Sequence, residues 1–330
     1  MKSLLKKLTE TASPSGYEGP IRELIRSEVA PLAREVTVDA LGNLIVHLGE
    51  KTPRGLKILI DAHMDEIGFM VSHVEKNGLI RFSALGGLFP RYLAGARVVF
   101  LDGTRGTINS DRQEDKKTIP SIEEHYIDVG AASDRDCPVA IGSVGVLDEP
   151  FYDLGRRVMA KSLDNRSSCA ALIETIKRIK STPHELVFVF SAQEETQTRG
   201  ATTASYAVEP DLAIAVDVTP SLDILGVKMQ VDLAKGPAIK LRDTGMLSDP
   251  GVVKWMEKTA AKEHMPCQRE VLDVRTTNAR VMQVSRAGVP CGVISIPCRH
   301  VHSPSEMIDL QDLEYTVALL TALLSNPKID

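Results

Sequence analysis

The sequence has no long hydrophobic run and no closely spaced pair of cysteines. Its apolar stretches are shorter than the ~20 residues that span a membrane, so we expect no membrane-spanning helix. The amphipathic stretch at residues 1–11 lacks the apolar core and the cleavage site of a signal peptide. The cysteines number five and form no C-x-x-C pair, which is typical of reduced, structural thiols. Together, these absences predict a cytoplasmic protein.

A strong excess of charge of either sign is also missing. The formal net charge is −5, from 39 basic and 44 acidic residues. Surfaces that bind nucleic acid or anionic membranes carry a basic excess, so we expect neither as a partner. The chain shows no internal repeat, and its 330 residues are enough for one large domain or two ordinary ones.

The segment 158–200 combines a helix pattern with a buried strand. Apolar residues recur at helical spacing over 170–179, and Asp164 or Asn165 is expected to cap that helix. Residues 186–191 form a continuous apolar run rich in Val and Phe. Such a run is typical of a parallel strand buried on both faces.

Between residues 68 and 157 the sequence changes to short strand patterns separated by Gly, Asp and Pro. This pattern of short strands is typical of a small β-barrel-like domain. On both sides, strands alternate with helices. We therefore predict an α/β fold in which residues 1–67 and 158–330 form a mixed sheet flanked by helices, with the β domain inserted. The charged segment 112–117 is predicted as a loop.

Further elements are predicted from periodicity and from turn signals. The predicted helices are 1–11, 17–32, 250–263, 277–287 and 310–324, and the predicted strands are 36–39 and 44–47 as a hairpin, 56–60, 212–216, 268–272 and 291–296.

Acidic residues and histidines stand at or near the ends of these strands. They are His63 and Asp65, Asp164, Glu194 and Glu195, Asp217, and His302. The carboxyl ends of parallel strands meet at one edge of a sheet, where such folds bind ligands. Carboxylate oxygens with imidazole nitrogens suit divalent metals such as zinc or cobalt. Two histidines with three or more carboxylates predict a two-metal site in which one carboxylate bridges the ions.

Five short motifs stand in the order of one protein family. They are His63–Gly68 (HMDEIG), Leu163–Arg166 (LDNR), Gln193–Glu195 (QEE), Val216–Val218 (VDV) and His302–Glu306 (HSPSE). On these motifs the chain resembles the tetrahedral aminopeptidases, the glutamyl and deblocking aminopeptidases among the co-catalytic zinc exopeptidases. The resemblance extends over essentially the whole chain, and some members of that family carry endoglucanase labels.

The resemblance implies a metal-dependent aminopeptidase that acts on short peptides with two divalent ions per subunit, zinc, cobalt or manganese. It implies that His63 and Asp217 hold one ion, that Glu195 and His302 hold the other, that Asp164 bridges them, that Glu194 is the general base, and that Asp65 orients His63. It also implies a cis peptide bond between Asp164 and Asn165.

The resemblance further implies an assembly of subunits. The inserted domain is expected to be a dimerisation domain from which a hollow tetrahedral dodecamer is built. The inner chamber of such a homo-oligomer would admit unfolded peptides and exclude folded proteins. The alternative is that the insert is a rigid ornament or a lid that shapes the cleft.

Two positions depart from the family pattern. Asn278 replaces the acid of a Gly-Thr-Asp-Ala stretch, which opens a question about substrate contacts there. His300 stands where the family favours tyrosine, two residues before His302. On an extended segment the two histidines would share a face, so spacing alone allows either to bind metal. The following Ser303–Pro304 favours His302.

Two other functions stay open at this stage. A glycoside hydrolase on the same scaffold would use a carboxylic acid pair without metals. A non-catalytic metal-binding scaffold would have lost the general base, yet Glu194 is present. The preferred N-terminal residue of the substrate depends on loops whose form the sequence does not specify.

Overall fold

The structure is a computed structural model, and it describes residues 1–112, 118–221, 223–226 and 231–327. The predicted loop at 112–117 lies outside the described residues except for Arg112. In the part of the chain that is described, none of the helices has the length and apolar character needed to cross a membrane.

Helices and strands alternate over most of the chain. The helices are α1 (Lys2–Glu10), α2 (Gly19–Val29), α3 (Leu163–Arg178), α4 (Arg199–Val208), α5 (Pro250–Lys262), α6 (Ala279–Met282) and α7 (Leu310–Ser325). The strands are β1 (Glu35–Val38), β2 (Leu44–Leu48), β3 (Lys57–His63), β4 (Gly68–Val74), β5 (Ile80–Leu85), β6 (Arg97–Phe100), β7 (Arg105–Ser110), β8 (His125–Asp128), β9 (Val144–Leu147), β10 (Tyr152–Leu154), β11 (Arg157–Ala160), β12 (Glu185–Ser191), β13 (Leu212–Pro220), β14 (Ala238–Arg242), β15 (Gln268–Val271), β16 (Cys291–Arg299) and β17 (Glu306–Asp309).

One mixed sheet of 11 strands forms the larger part of the molecule. Its order is β1-β2-β12-β3-β13-β16-β17-β11-β10, and β14 pairs with both β15 and β16 beside this path. The central strands β12, β3, β13 and β16 run parallel to one another, whereas β1 and β2 form the predicted antiparallel hairpin. The predicted α/β class with a mixed sheet is confirmed.

Strand β12 is apolar from Leu186 to Phe190, because both faces of the sheet are covered. Its residues Phe188 and Phe190 pack into the core beneath α1, α2, α3, α5 and α7. Val187 and Val189 point to the other face, where α4 and α6 cover a smaller core. Full burial of each such side chain stabilises the fold by about 1.5–3 kcal/mol. The double-sided core holds the carboxyl ends of the parallel strands in fixed positions.

The inserted segment forms a closed barrel with the strand order β4-β5-β8-β7-β6-β9. The rings of Phe69, Phe82 and Phe100 fill it with edge-to-face contacts, at centroid distances of 5.6 Å and 5.2 Å from Phe69. The predicted barrel-like insert is confirmed. Its strands end at Leu147, and β10 already pairs with β11 in the large sheet. The division of the chain at residues 67 and 158 stays a prediction.

Two local expectations are wrong. The helix predicted over 277–287 is shortened to α6, because the chain continues in three-residue turns and Arg286 takes a left-handed φ of 52°. The capping role expected for Asp164 or Asn165 is also wrong. The Asp164 carboxylate faces two imidazoles instead, and the Asn165 amide donates to the carbonyl of Val216.

Candidate metal centre

The seven predicted site residues converge at the carboxyl ends of β3, β12 and β13. His63 ends β3 and Asp65 follows it, Glu194 and Glu195 follow β12, Asp217 lies in β13, Asp164 lies in the first turn of α3, and His302 lies in the turn between β16 and β17. These elements are neighbours in the sheet or pack directly on it, so residues far apart in the sequence form one cluster.

Asp164 lies at the centre of this cluster. Its Oδ1 is 3.2 Å from Nε2 of His63, and its Oδ2 is 3.3 Å from Nε2 of His302. The peptide bond to Asn165 is cis, which confirms that prediction. A single carboxylate thus presents one oxygen to each of two imidazoles.

Two sets of potential metal ligands share Asp164. One set is His63, Asp164 and Asp217, and the other is Asp164, Glu195 and His302. Within each set the ligand atoms lie within 4.8 Å of one another. Nε2 of His63 is 3.8 Å from Oδ1 of Asp217, and Nε2 of His302 is 3.2 Å from Oε1 of Glu195. A third set, His63 with Glu194 and Glu195, overlaps the first two.

Asp65 contacts both His63 and the backbone of the two adjacent glutamates. Its Oδ1 is 3.4 Å from Nδ1 of His63. The same carboxylate accepts the backbone N–H groups of Glu194 at 3.0 Å and Glu195 at 3.1 Å, and the hydroxyl of Ser15. Burial works to raise the pKa of Asp65, but the hydrogen bond and charge of His63, followed by the hydrogen bonds from Ser15 and the backbone of Glu194, outweigh it and lower the pKa. One ionised group therefore orients both an imidazole and the paired glutamates.

Glu306 is a residue beside the cluster for which no role was predicted from the sequence. Its carboxylate accepts the backbone N–H of Asp164 at 2.9 Å and that of His302 at 2.7 Å. Burial and the neighbouring Asp164 raise its pKa to about 8. The signal that could have revealed it is its position four residues after His302 in a motif, at the start of a strand. Glu306 ties together the two backbone segments that carry the central carboxylate and the second imidazole.

The barrel also reaches the cluster, which the sequence did not reveal. His302 donates from Nδ1 to the carbonyl oxygen of Gly87, at 3.0 Å, in the loop after β5. A methyl group at Gly87 would lie only 2.5 Å from that nitrogen. The centroids of the Phe89 and His302 rings are 5.9 Å apart. The insert therefore supports a candidate ligand without supplying one.

The charges of the cluster suit a cation. Burial, with Glu195 and Asp217 nearby, raises the pKa of Glu194 well above its ordinary value. Burial and Asp164 raise the pKa of Asp217 to about 7. Burial works to lower the pKa of His302, but the charges of Glu195 and Asp164 outweigh it and raise the pKa to about 11. A divalent ion would relieve the repulsion between these carboxylates, so the oxygen and nitrogen donors fit such an ion.

The two departures from the family pattern lie away from the cluster. His300 has a left-handed φ of 59° and is exposed, so the expectation that it shares a face with His302 on an extended segment is wrong. Asn278 is buried and donates from its amide to Asp61 at 2.6 Å and to Ser191 at 2.9 Å. The partners of Asn278 thus lie in the sheet. Its neighbours Thr276 and Thr277, by contrast, line a cavity beside the cluster.

A cavity of about 280 Å³ opens onto the cluster. Its walls away from the cluster include Leu272, Arg275, Thr276, Thr277 and Val301. This volume suits the end of a peptide better than a folded chain.

The family model of the M42 glutamyl aminopeptidases matches residues 42–319. The chain belongs to this family. The M42 chain is 34% identical to a lysyl aminopeptidase of Pyrococcus furiosus over 341 residues, covering 98% of this chain and 97% of the relative.

Two solved structures extend the likeness to the fold. An aminopeptidase of the archaeon Desulfurococcus kamchatkensis is similar with a TM-score of 0.95 and 33% identity, covering 99% of this chain and 95% of the other. The TET1 peptidase of Pyrococcus horikoshii, which can assemble into a tetrahedron or a large octahedral shell, is similar with a TM-score of 0.89 and 32% identity, covering 98% of both chains.

The M42 chain is a metal-dependent aminopeptidase and hydrolyses peptide bonds. The family match and the aminopeptidase relatives disfavour the glycoside hydrolase alternative and the non-catalytic scaffold. The resemblance inferred from five motifs is confirmed.

Proposed function

We propose that the M42 chain hydrolyses the N-terminal peptide bond of short peptides with two divalent metal ions per subunit. His63 and Asp217 would hold one ion, Glu195 and His302 the other, and Asp164 both. The observation that carries this proposal is that the two Asp164 oxygens face different imidazoles, at 3.2 Å and 3.3 Å. Zinc or cobalt suits these mixed oxygen and nitrogen donors, and manganese is a third candidate.

Metal ions bound at this cluster would supply Lewis acidity, which lowers the pKa of a bound water and polarises the scissile carbonyl. Glu194 would act as general base and accept the proton of the attacking water on its carboxylate. The protonated Glu194 would then donate to the leaving amine. Asp65 would keep the backbone of Glu194 and the ring of His63 in position throughout.

Chelation followed by metal re-addition tests the proposed function. Aminoacyl chromogenic substrates with acidic, neutral and basic residues are assayed before chelation, after it, and after re-addition of zinc, cobalt or manganese singly. We expect hydrolysis to fall to background on chelation and to return with at least one metal. A β-glucan substrate is the control, because a metal-free carboxylic acid pair would survive chelation. Full peptide hydrolysis by metal-free protein would contradict the proposal.

We further propose that the chain assembles into a tetrahedral dodecamer through its barrel. The support is the assembly of the similar TET1 peptidase and the exposed apolar side chains of the insert, which include Ile119 at 60% and Ile141 at 69%. Closed assemblies bury such patches in repeated interfaces. A chamber would keep an unselective exopeptidase harmless in the cytoplasm, the compartment that the five free cysteines favour.

Light scattering on the metal-loaded protein is expected to give about twelve times the 36.0 kDa chain mass, with a dimer as the assembly intermediate. Replacing Ile141 by Asp is expected to shift the mass towards smaller species if the barrel forms the contact. A wild-type monomer with full activity on short peptides would contradict the assembly role and favour a rigid ornament or a lid.

A further inference from the structure

A second cavity, of about 210 Å³, adjoins the candidate metal centre. The two cavities share four lining residues, Phe89, Pro220, Arg275 and Val301. Because the walls are shared, a substrate whose scissile bond lies at the cluster can extend one of its groups into the second cavity.

The wall of the second cavity combines aromatic and apolar residues with basic side chains. Arg91, Arg275 and His300 contribute to its wall, and no carboxylate does so among the residues that the structure describes. Arg275 stands on the border with the first cavity, and its guanidinium carbon lies 5.3 Å from the centre of the Phe89 ring. Within residues 1–112, 118–221, 223–226 and 231–327, the Arg275 guanidinium forms no ion pair. The unpaired guanidinium of Arg275 thus contacts the Phe89 ring, which itself lies beside the His302 ring.

The backbone of Arg275 is held in an unfavourable conformation. Its φ is +64°, in the left-handed region that disfavours residues with a Cβ atom. Thr244 fixes this conformation, because both its backbone N–H, at 3.2 Å, and its hydroxyl donate to the carbonyl oxygen of Arg275. Strained backbone of this kind concentrates at sites that bind ligands. The strain and the unpaired charge are independent observations on the same residue.

We propose that Arg275 binds a carboxylate of the peptide substrate in the second cavity. The inference rests on the proposed function, since the first cavity must hold the scissile bond. A guanidinium binds a carboxylate through two parallel hydrogen bonds, and the Phe89 ring keeps its plane in place. The carboxylate has two possible sources, the side chain of an N-terminal Glu or Asp and the C-terminus of a very short peptide. In both cases Arg275 sets specificity, and in the first case N-terminal Lys or Arg is disfavoured.

Two matched substrate pairs separate these sources. Glutamyl-alanine amide and glutaminyl-alanine amide differ only in the charge of the first side chain. Alanyl-alanine and alanyl-alanine amide differ only in the charge of the C-terminus. The four peptides are assayed with metal-loaded wild-type enzyme and with Arg275→Gln and Arg275→Lys. The control is Arg286→Gln, because Arg286 also has a left-handed φ, 52°, and lies 4.1 Å from a tyrosine ring centre, but pairs with Glu209 outside both cavities.

We expect wild-type enzyme to prefer the charged member of at least one pair. In Arg275→Gln, kcat/KM for that member should fall about 10- to 100-fold relative to its neutral partner, mainly through KM, because a charge-assisted hydrogen bond is lost. Arg275→Lys should recover part of the preference, and Arg286→Gln should keep the wild-type ratio. A change confined to the first pair identifies the side-chain carboxylate, and one confined to the second pair identifies the C-terminus.

Equal rates of wild-type enzyme on both members of both pairs would overturn this inference alone. An equal loss on charged and neutral peptides in Arg275→Gln would do the same. Wild-type enzyme that cleaves none of the four peptides in the presence of metal would overturn both this inference and the proposed function.

Discussion

Replacement of Glu194 by Gln is expected to lower kcat by about 10²- to 10⁴-fold while the protein keeps its metal. An amide of the same shape can neither accept the proton of the attacking water nor pass it to the leaving amine. Glu195→Gln should behave differently, because Oε1 of Glu195 lies 3.2 Å from Nε2 of His302 in a candidate ligand set. That variant should lose metal as well as activity. Steady-state kinetics together with elemental analysis of the dialysed proteins distinguish the two effects.

The matched control is Glu257→Gln, which removes the charge of a glutamate that pairs with Arg269 away from the cluster. It should keep both metal content and activity. Loss of metal in Glu194→Gln, together with full occupancy in Glu195→Gln, would reverse the roles assigned to the two glutamates.

Replacement of Asp164 by Asn is expected to remove metal from both positions and to lower activity below detection. Its two oxygens lie 3.2 Å and 3.3 Å from different imidazoles, and an asparagine offers one neutral oxygen in their place. The loss should exceed the ~10- to 100-fold cost of removing an outer-shell partner, because the proposed ligand of both ions is changed. Asp217→Asn should affect one position only. Metal stoichiometry and kcat/KM measured on the same samples test both expectations.

Asp312→Asn serves as the control for loss of a carboxylate within the fold. Asp312 accepts the backbone N–H groups of Ala234 and Gly236 and lies outside the cluster. We expect Asp312→Asn to lower the stability of the fold while its metal content stays that of the wild-type protein. Retention of two ions per subunit in Asp164→Asn would show that Asp164 is not shared between them.

The positions of the metal-centre residues follow from features that a sequence contains. A strand such as β12, apolar on both faces, has to lie inside a sheet covered by helices. Parallel strands of this kind end at the same edge, so acidic residues just beyond them meet. This is why His63, Glu195 and Asp217 could be assigned to one cluster, although more than 100 residues separate His63 from Glu195.

The remaining features depend on tertiary contacts that leave no local pattern. Gly87 and Phe89 belong to a barrel loop, and only the docking of the barrel brings them to His302. The helix expected at 277–287 had suitable periodicity, yet α6 ends at Met282 and the chain goes on in turns, with a left-handed φ at Arg286. The unpaired guanidinium of Arg275 is likewise invisible in a sequence, since pairing is a property of the neighbours that folding supplies.

The hydrogen bond between His302 and Gly87 also decides which imidazole tautomer is present. A carbonyl oxygen only accepts, so Nδ1 of His302 carries a proton. In the neutral ring that would bind a metal ion, this leaves the lone pair on Nε2, the nitrogen that lies beside Asp164 and Glu195. The acceptor comes from the loop after β5, within the barrel. A shortened enzyme with a linker in place of the barrel would therefore lose its control over the protonation of one candidate ligand. Exchange of the insert for another domain would have to preserve an acceptor at the position of the Gly87 carbonyl oxygen.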